Sequence, residues 1–188
     1  KEPAVIMARM RWMIPFLLPT LAWLAACSPA WNWREVRLED APLTAMLPCK
    51  PDQASQTVTL AGATAELQMT GCESGGATLA VSRVRLPSGA SAAEALSQWR
   101  AVTLAGMKAQ NVQEQPFQPV GSLALPQSAR VVASGRYRDG RAVNAQAVWF
   151  AQVSPQGVWL YHAVIYADAI GAEVADTFFS GLKLRAPT

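Results

Sequence analysis

The chain has 188 residues, of which 51% are hydrophobic and 15% charged, and its formal net charge is +3 at pH 7. That length is enough for one domain with a sizeable core. The sequence has no nucleophile-elbow, zinc-protease, phosphate-loop or dinucleotide-binding motif, so it signals none of these catalytic classes.

A short apolar run near the beginning ends in Leu24-Ala25-Ala26-Cys27. Arg9 and Arg11 precede it, which gives a charged region, an apolar region and a small-residue cleavage site. With cysteine directly after that site, the segment resembles a bacterial lipoprotein signal. The resemblance implies cleavage before Cys27, acylation of its thiol and of the new amino terminus, and a protein tethered to the bilayer. Residues 1–26 are then the signal peptide, with residues 1–6 upstream of a start at Met7 or Met10.

The alternative for this segment is a transmembrane or buried helix. The apolar run of residues 12–24 spans about 20 Å as a helix, which is short of a hydrocarbon core of about 30 Å. Pro15 and Pro19 also interrupt it. Ser28 follows the cysteine where an aspartate would suggest retention in the inner membrane. By analogy with Gram-negative lipoproteins, we expect the periplasmic face of the outer membrane.

The basic charge belongs partly to this leader. It contains Lys1, Glu2, Arg9 and Arg11, so 16 basic and 13 acidic residues become 13 and 12 in the mature chain. The net charge falls from +3 to +1. Because that value is near neutral and the location is exported, we expect no nucleic-acid partner.

Two cysteines remain once Cys27 is acylated. Cys49 and Cys72 are an even pair in an oxidising compartment, which favours a disulfide. The alternatives are two free thiols or a thiolate metal site. Zinc needs three or four ligands, and His162 is the single histidine. We therefore expect no metal and no cofactor.

Residues 27–42 read as a lipidated tether, because proline, asparagine and charges mix there without a period. Trp31 and Trp33 are its unusual members. Their rings are suited to the bilayer interface, and equally to packing on the edge of the domain.

From residue 43 the pattern becomes strand-like. It predicts strands over residues 43–47, 56–60, 63–72 and 77–86, with a tight turn at Ala61-Gly62, and together these form an antiparallel meander. Ser91-Ala92-Ala93-Glu94 is a capping box that opens a helix to about Lys108. Its apolar stripe, which should face the sheet, consists of Ala92, Leu96, Trp99, Val102 and Ala105.

The second half repeats the arrangement. A short strand near residues 111–115 precedes strands over 129–137, 142–153 and 158–167, and a short helix over 169–182 follows. This order predicts a single α+β domain over residues 43–188, with one long and one short helix packed on an antiparallel sheet of two meanders.

Two short motifs carry a family resemblance. Leu47-Pro48-Cys49-Lys50-Pro51 resembles the FPGKP opening of periplasmic and photosystem II extrinsic (PsbP-like) domains, with cysteine in place of glycine. The ending over residues 178–184, FFSGLKL, resembles their FFxSFKL close. The resemblance implies an α+β fold of accessory proteins and says nearly nothing about activity.

Candidate catalytic residues are few. His162 lies in the middle of a predicted strand, where a hydrogen-bonded structural role is expected in preference to a triad. Ser180-Gly181-Leu182-Lys183 matches Ser-x-x-Lys, but it ends a helix and lacks the partner motifs of that enzyme class.

The most suggestive polar group is basic: Arg136, Arg138 and Arg141 crowd the Asp139-Gly140 hairpin. Arg130 shares its strand parity with Arg136, which predicts that the two lie on a common face. Guanidinium groups bind carboxylates and phosphates, so this group is a candidate contact for an anion or an acidic partner. The alternative is edge charge that prevents strand-to-strand aggregation.

These patterns together favour a non-enzymatic, membrane-anchored lipoprotein that binds or assists another envelope component. A carrier of a small apolar or anionic ligand, held between sheet and helix, is the alternative. A hydrolase that uses Ser180 or His162 is the third hypothesis.

Overall fold

Two antiparallel sheets and two helices make up residues 31–185, the part of the chain that this computed structural model describes. The α+β class is confirmed. The predicted signal peptide, its cleavage site at Leu24, Ala25 and Ala26, and the acylated Cys27 lie outside the described residues. The elements in chain order are β1 (Arg34–Arg37), β2 (Leu43–Leu47), β3 (Asp52–Leu60), β4 (Ala63–Ser74), β5 (Ala77–Arg85), α1 (Ala92–Gly106), β6 (Gln110–Pro116), β7 (Ala129–Arg136), β8 (Ala142–Ser154), β9 (Gly157–Ala167), α2 (Ala172–Ser180) and β10 (Lys183–Leu184).

The large sheet has seven strands in the order β3-β4-β5-β9-β8-β7-β6. It consists of the second predicted meander and of the first one without its strand over residues 43–47, and the two join where β5 pairs antiparallel with β9. The turn between β3 and β4 falls at Ala61 and Gly62, both with positive φ, as a tight hairpin turn requires. β8 and β9 carry large buried side chains on both faces, Trp149 and Leu160 on one and Phe150 and Tyr161 on the other. Other elements therefore cover both faces of the sheet.

The first face of the large sheet packs against α1. Ser91 caps the helix by accepting a hydrogen bond from the Glu94 backbone N–H at 3.3 Å. The helix ends at Gly106, slightly earlier than predicted, because Lys108 adopts a positive φ. Leu96 and Trp99 of the predicted stripe are buried, whereas Val102 and Ala105 are exposed. The prediction that Val102 and Ala105 face the sheet was therefore wrong.

The second face packs against α2 and a small sheet of three strands in the order β1-β2-β10. Residues 43–47, the first strand of the predicted meander, form the centre of this small sheet. β1 lies inside the segment predicted as tether, where it pairs with β2. Trp31 and Trp33 stack with ring centroids 6.0 Å apart and pack against the same core. Of the two expectations for these rings, the structure shows the contact with the domain.

Cys49 and Cys72 lie at disulfide distance, with their Cα atoms 6.0 Å apart. Cys49 follows β2 of the small sheet and Cys72 belongs to β4 of the large one, so the bridge joins the two layers. Within residues 31–185, neither helix has the length and apolar character needed to cross a bilayer.

Candidate functional site

A groove of about 680 Å³ lies between the C-terminal half of α1 and the first face of the large sheet. α1 forms one wall, β3, β4, β5 and β9 form the floor, and the β7–β8 hairpin forms one end. The groove occupies the place between sheet and helix where the carrier hypothesis puts a ligand.

The groove exists because side chains on β5 become smaller along the strand. Val84, under the beginning of α1, is fully buried and fills the space beneath the helix. The residues of β5 on the same face further back are Ser82, Ala80 and Thr78, which are too short to reach the helix. On neighbouring β4, Gly71 pairs with Ala80 and has no side chain. A Cβ on Gly71 would lie 2.8 Å from the Ala80 Cβ, so this position requires glycine. Small residues on two adjacent strands therefore leave an open space beside α1 around Val102.

Two large apolar side chains line this space and remain exposed to solvent. Val102 of α1 is 63% exposed and Met69 of β4 is 41% exposed. Val102 is exposed because the strand beneath it carries small residues, which explains why the predicted stripe ends at Trp99. Exposed apolar groups that face one concave surface are typical of a binding site.

His162 forms the inner part of the floor. Its ring stacks on Trp149 with centroids 4.6 Å apart and contacts Trp99 at 5.5 Å. Burial lowers the pKa of His162 to about 3, so the imidazole is neutral at physiological pH. Its Nε2 has no hydrogen-bond partner among the described residues. His162 therefore packs between two indoles as a structural residue does, but the hydrogen bond expected for it is not found within residues 31–185.

The open end of the groove carries Arg136, Tyr137 and Arg138. Arg136 donates from Nη1 to the Gly140 carbonyl at 2.9 Å, which leaves part of its guanidinium free. Arg138 is exposed and makes no hydrogen bond or ion pair within residues 31–185. Burial raises the pKa of Tyr137, whose ring also contacts Tyr166 at 6.5 Å.

The four predicted arginines do not form one cluster. Arg130 lies on the opposite face of the sheet, where its guanidinium stacks 4.7 Å from the Phe179 ring and donates to Gln146 at 2.7 Å. Arg141 binds Asp139 within the same turn, with Nε 2.8 Å from Oδ2. The hydrogen bond from Arg141 accordingly lowers the pKa of Asp139. Only Arg136 and Arg138 of the four line the groove.

The two hydrolase candidates are also separated. Ser180 is exposed at the end of α2 on the second face, whereas His162 is buried on the first face. The sheet lies between them, so they cannot act as a nucleophile and its base. Across residues 31–185, no three side chains of the metal-binding types come together as a metal site.

Sequence reasoning missed the floor of the groove. The signal lay in β5, where Thr78, Ala80 and Ser82 alternate with the larger Leu79 and Val81. A strand with small residues on one face predicts a shallow place on that face, but not which element covers it.

No protein-family model matches the chain, and no curated protein is significantly similar to it.

Proposed function

We propose that this chain is a lipoprotein of non-enzymatic binding type, anchored through acylated Cys27 at the periplasmic face of the outer membrane. Its domain holds a small apolar or anionic ligand in the groove beside α1. The observation that supports this most is the pair of exposed apolar side chains, Val102 and Met69, facing one concave surface of about 680 Å³. The anchor rests on the resemblance of residues 24–27 to the lipobox, the cleavage site of a bacterial lipoprotein signal. A protein bound at the bilayer surface needs only modest affinity for a membrane-derived ligand, because the bilayer keeps both at high local concentration.

The test is thermal unfolding of the full chain in liposomes, followed by tryptophan fluorescence, with and without anilinonaphthalene sulfonate, a dye that is both apolar and anionic. A ligand at about 100 times its Kd stabilises the folded state by about 2.7 kcal/mol. The melting temperature should then rise by roughly 5–10 °C for a domain of this size.

Two variants of one helix localise the effect. Val102→Asp places a charge in the groove and should abolish the rise in melting temperature. Ala105→Asp, on an exposed position of α1 outside the groove lining, should retain it. Equal shifts in both variants would place the dye elsewhere and remove the support for this function.

A second candidate, an adaptor for another envelope protein, is favoured by the edge strand β3. Seven of its nine residues are exposed, and the run from Ala54 to Leu60 carries no charge. Such an edge is able to accept a strand from a partner. A photo-crosslinking residue at Thr57, an exposed position of β3 outside the groove lining, that captures one envelope protein, in a chain that shows no dye-induced shift, would favour the adaptor over the carrier.

A further inference from the structure

We infer that the ligand of the groove is a medium-chain fatty acid in its anionic form, with the carboxylate at Arg138 and the chain along the flank of α1. This inference rests on the proposed function and names the ligand class for that site. Three features of the described residues support it: the charge balance at the open end, the uncharged floor and the length of that floor.

The open end favours a single carboxylate. Arg141 is already bound by Asp139, and Arg136 uses one nitrogen on the Gly140 carbonyl, so Arg138 is the guanidinium left with all its donors free. One planar guanidinium matches one planar carboxylate through two parallel hydrogen bonds.

A more highly charged head group fits less well. Glu73 and Asp168 lie close enough to raise the pKa of Tyr137, so carboxylates offset the other cations at this end. A doubly charged phosphate would need both Arg138 and the part of the Arg136 guanidinium that the Gly140 carbonyl leaves free, whereas a carboxylate is matched by Arg138 alone.

The floor suits an alkyl chain. Thr78, Ala80 and Ser82 follow one another on one face of β5, and Thr78 and Ser82 are about 13 Å apart at the usual rise of a strand. Val102 and Met69 flank the space, and no residue of this floor carries a charge, because His162 stays neutral. Methylenes that leave water for such a surface contribute favourably, each by the same small increment.

The experiment uses membrane vesicles that contain the full chain and three photoreactive probes with one chain: decanoic acid, decyl alcohol and decyl phosphate, each with a diazirine at its end. After irradiation, trypsin releases the peptide of residues 101–108, which carries Val102, and mass spectrometry measures its labelling. Decanoic acid should label this peptide roughly tenfold more than the alcohol does, as expected for a charge-assisted hydrogen bond.

Arg138→Gln should reduce labelling by the acid roughly tenfold and leave labelling by the alcohol unchanged. The matched control is Arg37→Gln, an exposed arginine on β1 far from the groove lining, which should change neither. Since Arg138 makes no hydrogen bond, ion pair or ring contact within residues 31–185, we expect its replacement to leave the fold intact.

The outcomes separate the two proposals. Equal labelling by acid and alcohol, unaffected by Arg138→Gln, overturns the fatty-acid inference and leaves a groove that binds apolar ligands. Stronger labelling by the phosphate overturns it in favour of a lipid head group. No labelling of residues 101–108 by any probe overturns the carrier function as well.

Discussion

His162 gives the domain a built-in sensitivity to acid. Burial between Trp149 and Trp99 lowers its pKa from 6.5 to about 3, whereas in the unfolded chain the ring titrates near 6.5. Between about pH 3 and pH 6.5, the unfolded state binds a proton on His162 and the folded state does not. The contribution of the neutral ring to stability is therefore complete above pH 6.5 and is lost as the pH falls.

We predict that the free energy of unfolding decreases by about 2 kcal/mol between pH 7 and pH 5 through this residue alone. Urea unfolding at the two pH values measures it. His162→Phe keeps an aromatic ring between the indoles and removes the titration, so most of the decrease should disappear. A variant with the same pH dependence as the parent chain would show that the ring is accessible to protons.

The contacts of Arg130 and Arg136 could not be predicted from their positions along one strand. Arg130 and Arg136 share a strand parity, which predicts a common face. Arg136 ends β7, however, and the hairpin that follows turns it toward the groove, while Arg130 stacks on Phe179 of α2. A cation–π contact with a helix that lies some fifty residues further along the chain leaves no local signal.

Among the elements, α1 is held at its C-terminal end by a close approach to β7. The backbone N–H of Arg136 donates to the Met107 carbonyl at 2.8 Å, and a Cβ on Gly135 would lie 2.5 Å from that same oxygen. Gly106, the last residue of the helix, has open space where its Cβ would be. The close contact therefore requires glycine at position 135, whereas position 106 has room for a side chain.

We predict that Gly135→Ala destabilises the domain by about 1–3 kcal/mol, since backbone atoms must move apart. Gly106→Ala should instead stabilise it by about 0.5–1 kcal/mol, because alanine is the better helix former. Chemical denaturation of both variants compares them. If Gly135→Ala is as stable as the parent chain, the end of α1 does not depend on this contact.

The elements were predictable where the signal is local. The Ser91 cap, the turn at Ala61-Gly62 and the alternation along β8 and β9 all depend on neighbours in sequence, and the structure confirms them. The separation of β2 from the first meander could not be predicted from local sequence, because it depends on pairing with β10, almost 140 residues away. The groove was missed for the same reason: it is a property of β5 and α1 together.

In the folded domain, the disulfide connects two layers that otherwise meet through apolar side chains. Cys49 and Cys72 are 23 residues apart in sequence, and closing a loop of that size stabilises by about 3 kcal/mol in the chain-entropy model. We predict that replacing both cysteines with serine lowers the free energy of unfolding by this amount. Reductant should destabilise the parent chain to the level of the variant. Identical urea midpoints with and without reductant would show that no bond forms.

The proposed role of the groove depends on the proposed membrane anchor, because a ligand drawn from the bilayer must be met at the bilayer surface. Two or more acyl chains on one residue bind a membrane durably, at about 0.8 kcal/mol for each buried methylene.

We predict that Cys27→Ser abolishes labelling by palmitate and moves the chain from the membrane fraction to the soluble fraction. Cys49→Ser/Cys72→Ser is the matched control, since it removes two thiols and should leave palmitate labelling intact. If the Cys27→Ser protein still incorporates palmitate, acylation occurs elsewhere and the lipobox interpretation is wrong. If it loses the label yet stays on the membrane, the domain itself binds lipid, and the groove beside α1 becomes the first place to look for that contact.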